Sequence, residues 1–221
     1  MELPLAYILD ATKDPQRSLA ITAYQAETPT RYLFESALGE RWDALEPAAK
    51  ALHQTDDVTH FTGQASVERG KGWMARLIAR VIGFPKAGDT VSLMVTKARK
   101  GAAERWVRRF GHDAFSSDLM PAPKPFHVRE RFGAFTFEQS LPVEDGMMEL
   151  KVERGWFLGV PMPRWMLPTS RAREFVRDGR FHFDVALETP LRWLPGSGLI
   201  VRYRGSLAPA QPDQASKARA P

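Results

Sequence analysis

The residues here that could do chemistry are arginines and carboxylates set on runs of alternating polarity. Arg105, Arg109, Arg129, Arg131, Arg171, Arg173, Arg202 and Arg204 recur at steps of two or four within such runs, with Glu130, Glu138, Glu174 and Asp184 beside them. Arginine grips a carboxylate or phosphate with two parallel N–H donors, and its stem lies along apolar surface. A carboxylate held inside a barrel acquires a shifted pKa and can act as a general acid or base. On a wet sheet face the same residues form cross-strand ion pairs instead. The pattern leaves both readings open.

Other chemistries are excluded or lack their spacing. The chain contains no cysteine, which rules out disulfides, thiolate metal sites and cysteine nucleophiles. His53, His60, His112, His127 and His182 show no H-E-x-x-H spacing, so no metal is expected. There is no G-x-S-x-G elbow, no G-x-G-x-x-G follows a strand, and Gly70-Lys71-Gly72 lacks the spacing of a phosphate loop. No cofactor is therefore expected.

With 221 residues, 43% of them hydrophobic, the chain can bury the core of one ordinary domain. The formal charge is +5, and nine Lys/Arg against four Asp/Glu between Thr96 and Phe132 account for that excess. A basic patch suits nucleic acid, an anionic lipid, an anionic small molecule, or only a solvated face. The basic strand faces lie opposite the aromatic ones rather than interleaved with them, so nucleic acid is not the expected partner. Glu2 and Asp10 bracket the first apolar residues, unlike a secretion signal. No apolar run approaches the roughly 18 residues of a membrane span. A cytoplasmic protein without a transmembrane segment is expected.

The elements that must position these groups follow from periodicity. Residues 1–29 read as an extension, with a strand signal at Ser18–Tyr24 between prolines. Tyr32, Leu33, Phe34, Ala37 and Leu38 form a helical stripe stopped by Gly39, and a second helix spans Trp42 to His53 with Pro47 near its first turn. From Val58 the period becomes two. Phe61, Ala65 and Val67 share a face, as do Val91, Leu93 and Val95, and Trp106, Arg108 and Phe110. Further strands are expected around Phe115–Met120, His127–Phe132 and Phe135–Val143, with a bulge at Gly133. Asp145-Gly146 and Asp178-Gly179 are hairpin turns, since both residues tolerate positive φ. One helix, Trp73 to Gly83, interrupts the strands; Trp73, Met74, Leu77, Ile78, Val81 and Ile82 are expected to face inward, with Arg76 and Arg80 outward.

Trp156 to Pro168 (WFLGVPMPRWMLP) is apolar but broken by Gly159, Pro161, Pro163 and Pro168. It is expected to be a loop serving as core lid, ligand gate, partner surface or membrane-touching element. Residues 208–221 read as a disordered tail. The resulting fold class is mainly β (α+β). Seven or eight antiparallel strands curl as a meander into a half-open or closed barrel. N-terminal helices accompany it, and the Trp73 helix covers its inner face or mouth. Residues 30–207 would form this single domain.

The order LHQ, F.G.A.VERG, the short apolar helix, ERWVRRF, RERFGAFTFE, the G.P.P loop, RDGRFHFDV and GLIVRYRGSL resembles the bacterial family of unknown function numbered 4166, across residues 30–207. The resemblance implies no defined activity. Family members occur alone or joined to oxidoreductase-like domains, which implies an accessory module near a small, lipid-like substrate and an oxidoreductase-like protein as partner. Trp106, Arg108, Glu130, Arg131, Arg171 and Tyr203 match the family pattern. With Trp156 and Trp165 of the apolar loop, they are the candidate ligand-binding residues. The expected function is binding of a hydrophobic or anionic amphiphilic small molecule in a barrel cavity. The alternatives are an enzyme or accessory half of an oxidoreductase, and a protein-interaction module built on the Trp156–Pro168 loop.

Overall fold

A strand with one apolar and one polar face must bury the apolar one. The computed structural model describes residues 31–190 and 193–211, and here the sheet buries that face against itself. The strands are β1 (Val58–Arg69), β2 (Gly88–Lys100), β3 (Ala103–Phe110), β4 (Asp113–Pro121), β5 (His127–Phe132), β6 (Phe135–Ser140), β7 (Val143–Glu144), β8 (Met147–Phe157), β9 (Val160–Pro161), β10 (Thr169–Arg177), β11 (Arg180–Glu188) and β12 (Leu199–Pro209). Ten of them close into an antiparallel barrel in the order β10-β11-β12-β1-β2-β3-β4-β5-β6-β8, with β8 pairing back onto β10. Closure leaves the long strands no free edge. The wall has ten strands where seven or eight were expected.

The turns obey their sequence. Asp145 and Gly146 have φ of 50° and 75°, and Asp178 and Gly179 have 53° and 69°, the twist that two-residue hairpins need. Gly133, expected to be a bulge, is instead part of the tight turn between β5 and β6, at φ 56°. The strand expected to run from Phe135 to Val143 stops at Ser140. Trp156 and Phe157, expected to be loop, end β8 and pair with Pro161 and Val160 across a turn at Leu158-Gly159. β12 runs to Pro209, two residues into the segment expected to be disordered. The strand expected at Ser18–Tyr24, with the rest of residues 1–30, and residues 212–221 lie outside the described residues.

One end of the barrel, its base, is plugged by short helices. α1 (Leu33–Leu38) ends at Gly39, a 3-10 turn covers Gly39–Ala44, and α2 (Pro47–His53) starts at Pro47 rather than at Trp42. Proline at the first helical position loses no bond, because that N–H has no partner in a helix anyway. Phe34, Leu38, Leu52 and His53 are fully buried there.

The opposite end, the mouth, carries α3 (Trp73–Ile82) between β1 and β2, the 158–168 segment between β8 and β10, and the 189–198 segment between β11 and β12. α3 stops at Gly83, whose φ of 82° suits a residue without Cβ, and whose N–H caps the Ala79 carbonyl. Its orientation differs from expectation. Ala75 and Ala79 are the buried line, and Ile78 and Ile82 line the interior. Trp73, Leu77 and Val81 face out, at 59%, 55% and 66% exposure. Small residues let the helix axis come close to the barrel rim, and the broad apolar stripe then overhangs it on one side. Among the described residues no helix is long and apolar enough to cross a membrane.

Candidate functional site

β8 changes partner midway, and this shapes the interior. Met148, Glu149 and Leu150 pair with Glu174, Arg173 and Ala172 of β10, while Lys151 to Phe157 pair with β6. The closing seam is therefore short. The segment after β9 packs beside it: the Met162 N–H donates to the Gly155 carbonyl at 2.8 Å. Leu167 lies so close over Gly155 that a Cβ there would meet it at 2.7 Å. Met162, Met166 and Pro168 of this segment complete the wall of an interior cavity of about 300 Å³. This volume falls at the low end of small-molecule pockets.

The upper cavity wall is apolar. Phe132 and Phe135 stand on one side, Val185 and Leu187 on the other, with Ile78 and Ile82 of α3 at the mouth. Halfway down, a polar group spans four strands. Arg108 of β3 donates to Glu130 Oε1 of β5 at 3.1 Å and to Ser117 Oγ of β4 at 2.8 Å. Ser117 in turn donates to Glu130 Oε1 at 2.6 Å, and Gln139 Nε2 of β6 donates to Glu130 Oε2 at 3.0 Å. The Arg108 guanidinium also lies 4.9 Å from the Trp106 ring and 5.5 Å from the Phe115 ring, a cation–π arrangement that holds it in place.

Below this layer a second set of charges meets the plug. Lys97 is fully buried, donates to the Leu52 carbonyl, and lies 3.6 Å from Glu104 Oε2, which also accepts from Trp106 Nε1 at 2.8 Å. Burial pushes the Lys97 ammonium down to about 8, with the Glu104 carboxylate opposing that fall. His53 Nε2 lies 2.6 Å from Glu174 Oε2, and its ring is 4.0 Å from Phe34. The floor of the cavity thus pairs Lys97 with Glu104 and His53 with Glu174, as burying polar groups requires, while His53 Nδ1 and Thr55 Oγ1 are buried without a hydrogen-bond partner among the described residues.

The Tyr203 side chain faces the cavity from β12, and its hydroxyl makes no hydrogen bond to another described residue. Burial pushes its ionisation up to about 12. Arg108 commits only part of its donor fork, which carries five N–H groups.

Trp106, Arg108, Glu130 and Tyr203 all line the interior of the barrel. The other four do not join them. Arg131 points outward, 54% exposed, and pairs with Asp118 at 3.0 Å; Arg171 points outward, 65% exposed, and pairs with Glu188 at 3.0 Å. Trp156 lies on the outer wall beneath the Arg129 guanidinium, 4.9 Å away. Trp165 is exposed at the mouth. These corrections follow from strand parity: 131 is out of phase with 130, and 171 with the inward Ala172.

Sequence reasoning passed over Lys97, Ser117 and Gln139. Each had a readable signal, being a polar residue in phase with an apolar face: Lys97 after Leu93 and Val95, Ser117 between Phe115 and Leu119, Gln139 after Phe135 and Phe137.

Residues 45–207 match the domain of unknown function DUF4166. The chain belongs to the DUF4166 family. No curated protein matches this DUF4166 chain. The matched span takes in α2, α3 and every strand as far as Leu207, so the whole inward cluster lies inside the DUF4166 region, while α1 precedes it.

Proposed function

We propose that this DUF4166 domain is a binding protein that holds a small hydrophobic or amphiphilic molecule inside the barrel. The observation that carries the reading is the apolar-walled cavity of about 300 Å³, onto which the Tyr203 side chain faces with no hydrogen bond from its hydroxyl to another described residue. A ligand supplies one. Tyr203 and the remaining N–H groups of Arg108 are both donors, so the polar end of the ligand is an acceptor, a carbonyl or a carboxylate. Its apolar body lies against Phe132, Phe135, Val185 and Leu187 and leaves toward the mouth. Apolar burial supplies about 25 cal/mol per Å² of covered surface, and the two donors fix orientation.

Two observations weigh against a catalytic reading. Glu130 accepts from Arg108, Ser117 and Gln139 together, which leaves it little capacity to take a proton from a ligand. Ser117, the one hydroxyl bonded to it, is not among the cavity-lining residues.

The test is displacement of a fluorescent fatty acid by unlabelled carboxylic acids and their alcohols. Saturable binding, weakened by about five- to tenfold in Tyr203→Phe, supports the reading, since one hydrogen bond to an uncharged donor contributes about 1 kcal/mol. No saturable binding by the folded wild type would count against it.

A further inference from the structure

We propose that the mouth of the barrel docks on an anionic lipid bilayer. Ten large apolar residues are strongly exposed among the described residues, and Val58 alone lies away from the mouth. Trp73, Leu77 and Val81 form the outward line of α3; Leu158, Trp165 and Met166 stand on the segment between β8 and β10; Trp193 stands on the segment after β11. Exposed apolar residues scattered singly need no account, but a gathered patch marks an interaction site. Two of these elements touch, since a Cβ on Gly196 would meet the Trp73 indole at 2.5 Å, and Met166 of the third lines the same mouth cavity as Ile78 and Ile82 of α3.

Charge selects the occupant. Lys71, Arg76, Arg80, Lys86 and Arg164 are exposed around this patch. None of the five forms a side-chain ion pair among the described residues. On the barrel wall, Arg131, Arg171, Arg173 and Arg202 are each matched by a carboxylate, while Arg109, Arg177 and Arg180 are not among the described residues, but those three do not stand beside outward tryptophans. Unmatched cations beside outward tryptophans suit lipid phosphate below and acyl chain above, the pattern of helices that lie in a bilayer interface. A second copy of the chain would bring the same basic ring against itself, and like charge disfavours that pairing. Met166 both lines the cavity and is exposed, so the patch is continuous with the interior. The docking itself does not depend on what the cavity holds.

The experiment is co-sedimentation of the full chain with vesicles of phosphatidylglycerol and phosphatidylcholine, and with phosphatidylcholine alone. The wild type is expected to pellet with the anionic vesicles, less so as salt rises, and to stay in the supernatant with the neutral ones. Arg76→Glu with Arg80→Glu should weaken the anionic partition by more than about tenfold, and Leu77→Ser with Trp165→Ser by a similar factor. Both variants should keep the wild-type melting temperature because all four side chains are exposed. Val185→Trp, which fills the cavity, should pellet like wild type, so failure of the ligand reading and failure of this one are separable. Wild type left in the supernatant with both vesicle types overturns the proposal, as does partition unchanged in both double variants. A dimer in light scattering that Leu77→Ser with Trp165→Ser dissolves, without vesicle binding, assigns the face to a second copy and overturns it too.

Discussion

Arg108 on β3 and Glu130 on β5 meet at 3.1 Å across β4, and Ser117 of that intervening strand bonds to both. The pair ties three strands together from inside the barrel. Removing one partner strands a buried charge, which costs about 3–5 kcal/mol. Arg108→Met and Glu130→Gln are each expected to lower stability by about 3 kcal/mol in urea denaturation, and the double variant by clearly less than the sum. Additive losses would show that the two residues do not act as a pair.

Lys97 sets the alkaline behaviour. Its ammonium loses a proton near 8 in the folded chain, against 10.5 when solvated. Between those values the unfolded chain binds more protons, so stability rises with pH across that window. Below pH 8 the folded state bears the full burden of a charged, desolvated lysine; above 10.5 that burden is gone. Melting temperature measured from pH 8 to 10 should therefore fall less steeply, or rise more, in wild type than in Lys97→Met. The variant should also be less stable at pH 7 because Glu104 and the Leu52 carbonyl lose their donor.

The β1–β12 contact depends on missing side chains. A Cβ on Gly205 would come within 2.1 Å of the Gln64 carbonyl oxygen, and one on Gly63 within 1.8 Å of the Ser206 carbonyl oxygen. Gly205→Ala should push the two strands apart and lower stability by roughly 2 kcal/mol or more, as overpacking does. Gly101→Ala, in an open turn at φ 62° with nothing within 4 Å of the added carbon, should cost only about 1 kcal/mol. Thermal denaturation of the two variants side by side checks the ranking.

Tyr203 should ionise late in an alkaline titration. Burial holds its phenol up to about 12, so ultraviolet titration of the folded chain should gain its absorbance only near that pH. Tyr203→Phe should remove that late step and leave the earlier ones. A variant curve that superimposes on the wild-type curve would place Tyr203 in contact with water.

Much of this was legible in alternation. Phe181, Phe183, Val185 and Leu187 face inward as their parity requires, and Asp145-Gly146 and Asp178-Gly179 turn the chain where their tolerance for positive φ allows. The inward cluster of Trp106, Arg108, Glu130 and Tyr203 follows from the same parity. The α3 surface was not legible. Six apolar residues on a helix state that it is amphipathic but not which edge of the stripe meets the protein, and Ala75 and Ala79 decide that through how close the barrel rim can come. The seam was also hidden, because β8 splits its pairing between β6 and β10 and no single register predicts it. Polar residues in phase with apolar ones, such as Lys97, Ser117 and Gln139, were the unread part of the pattern.

Native mass spectrometry of the full chain, purified without detergent, decides whether the barrel holds a small hydrophobic molecule. A species heavier than the polypeptide by one small molecule, released on denaturation, is the expected result. Val185→Trp, whose side chain fills the cavity, should run at the polypeptide mass alone. A wild type that carries nothing and takes up no added fatty acid, or a Val185→Trp variant that carries the same molecule, would contradict the ligand reading.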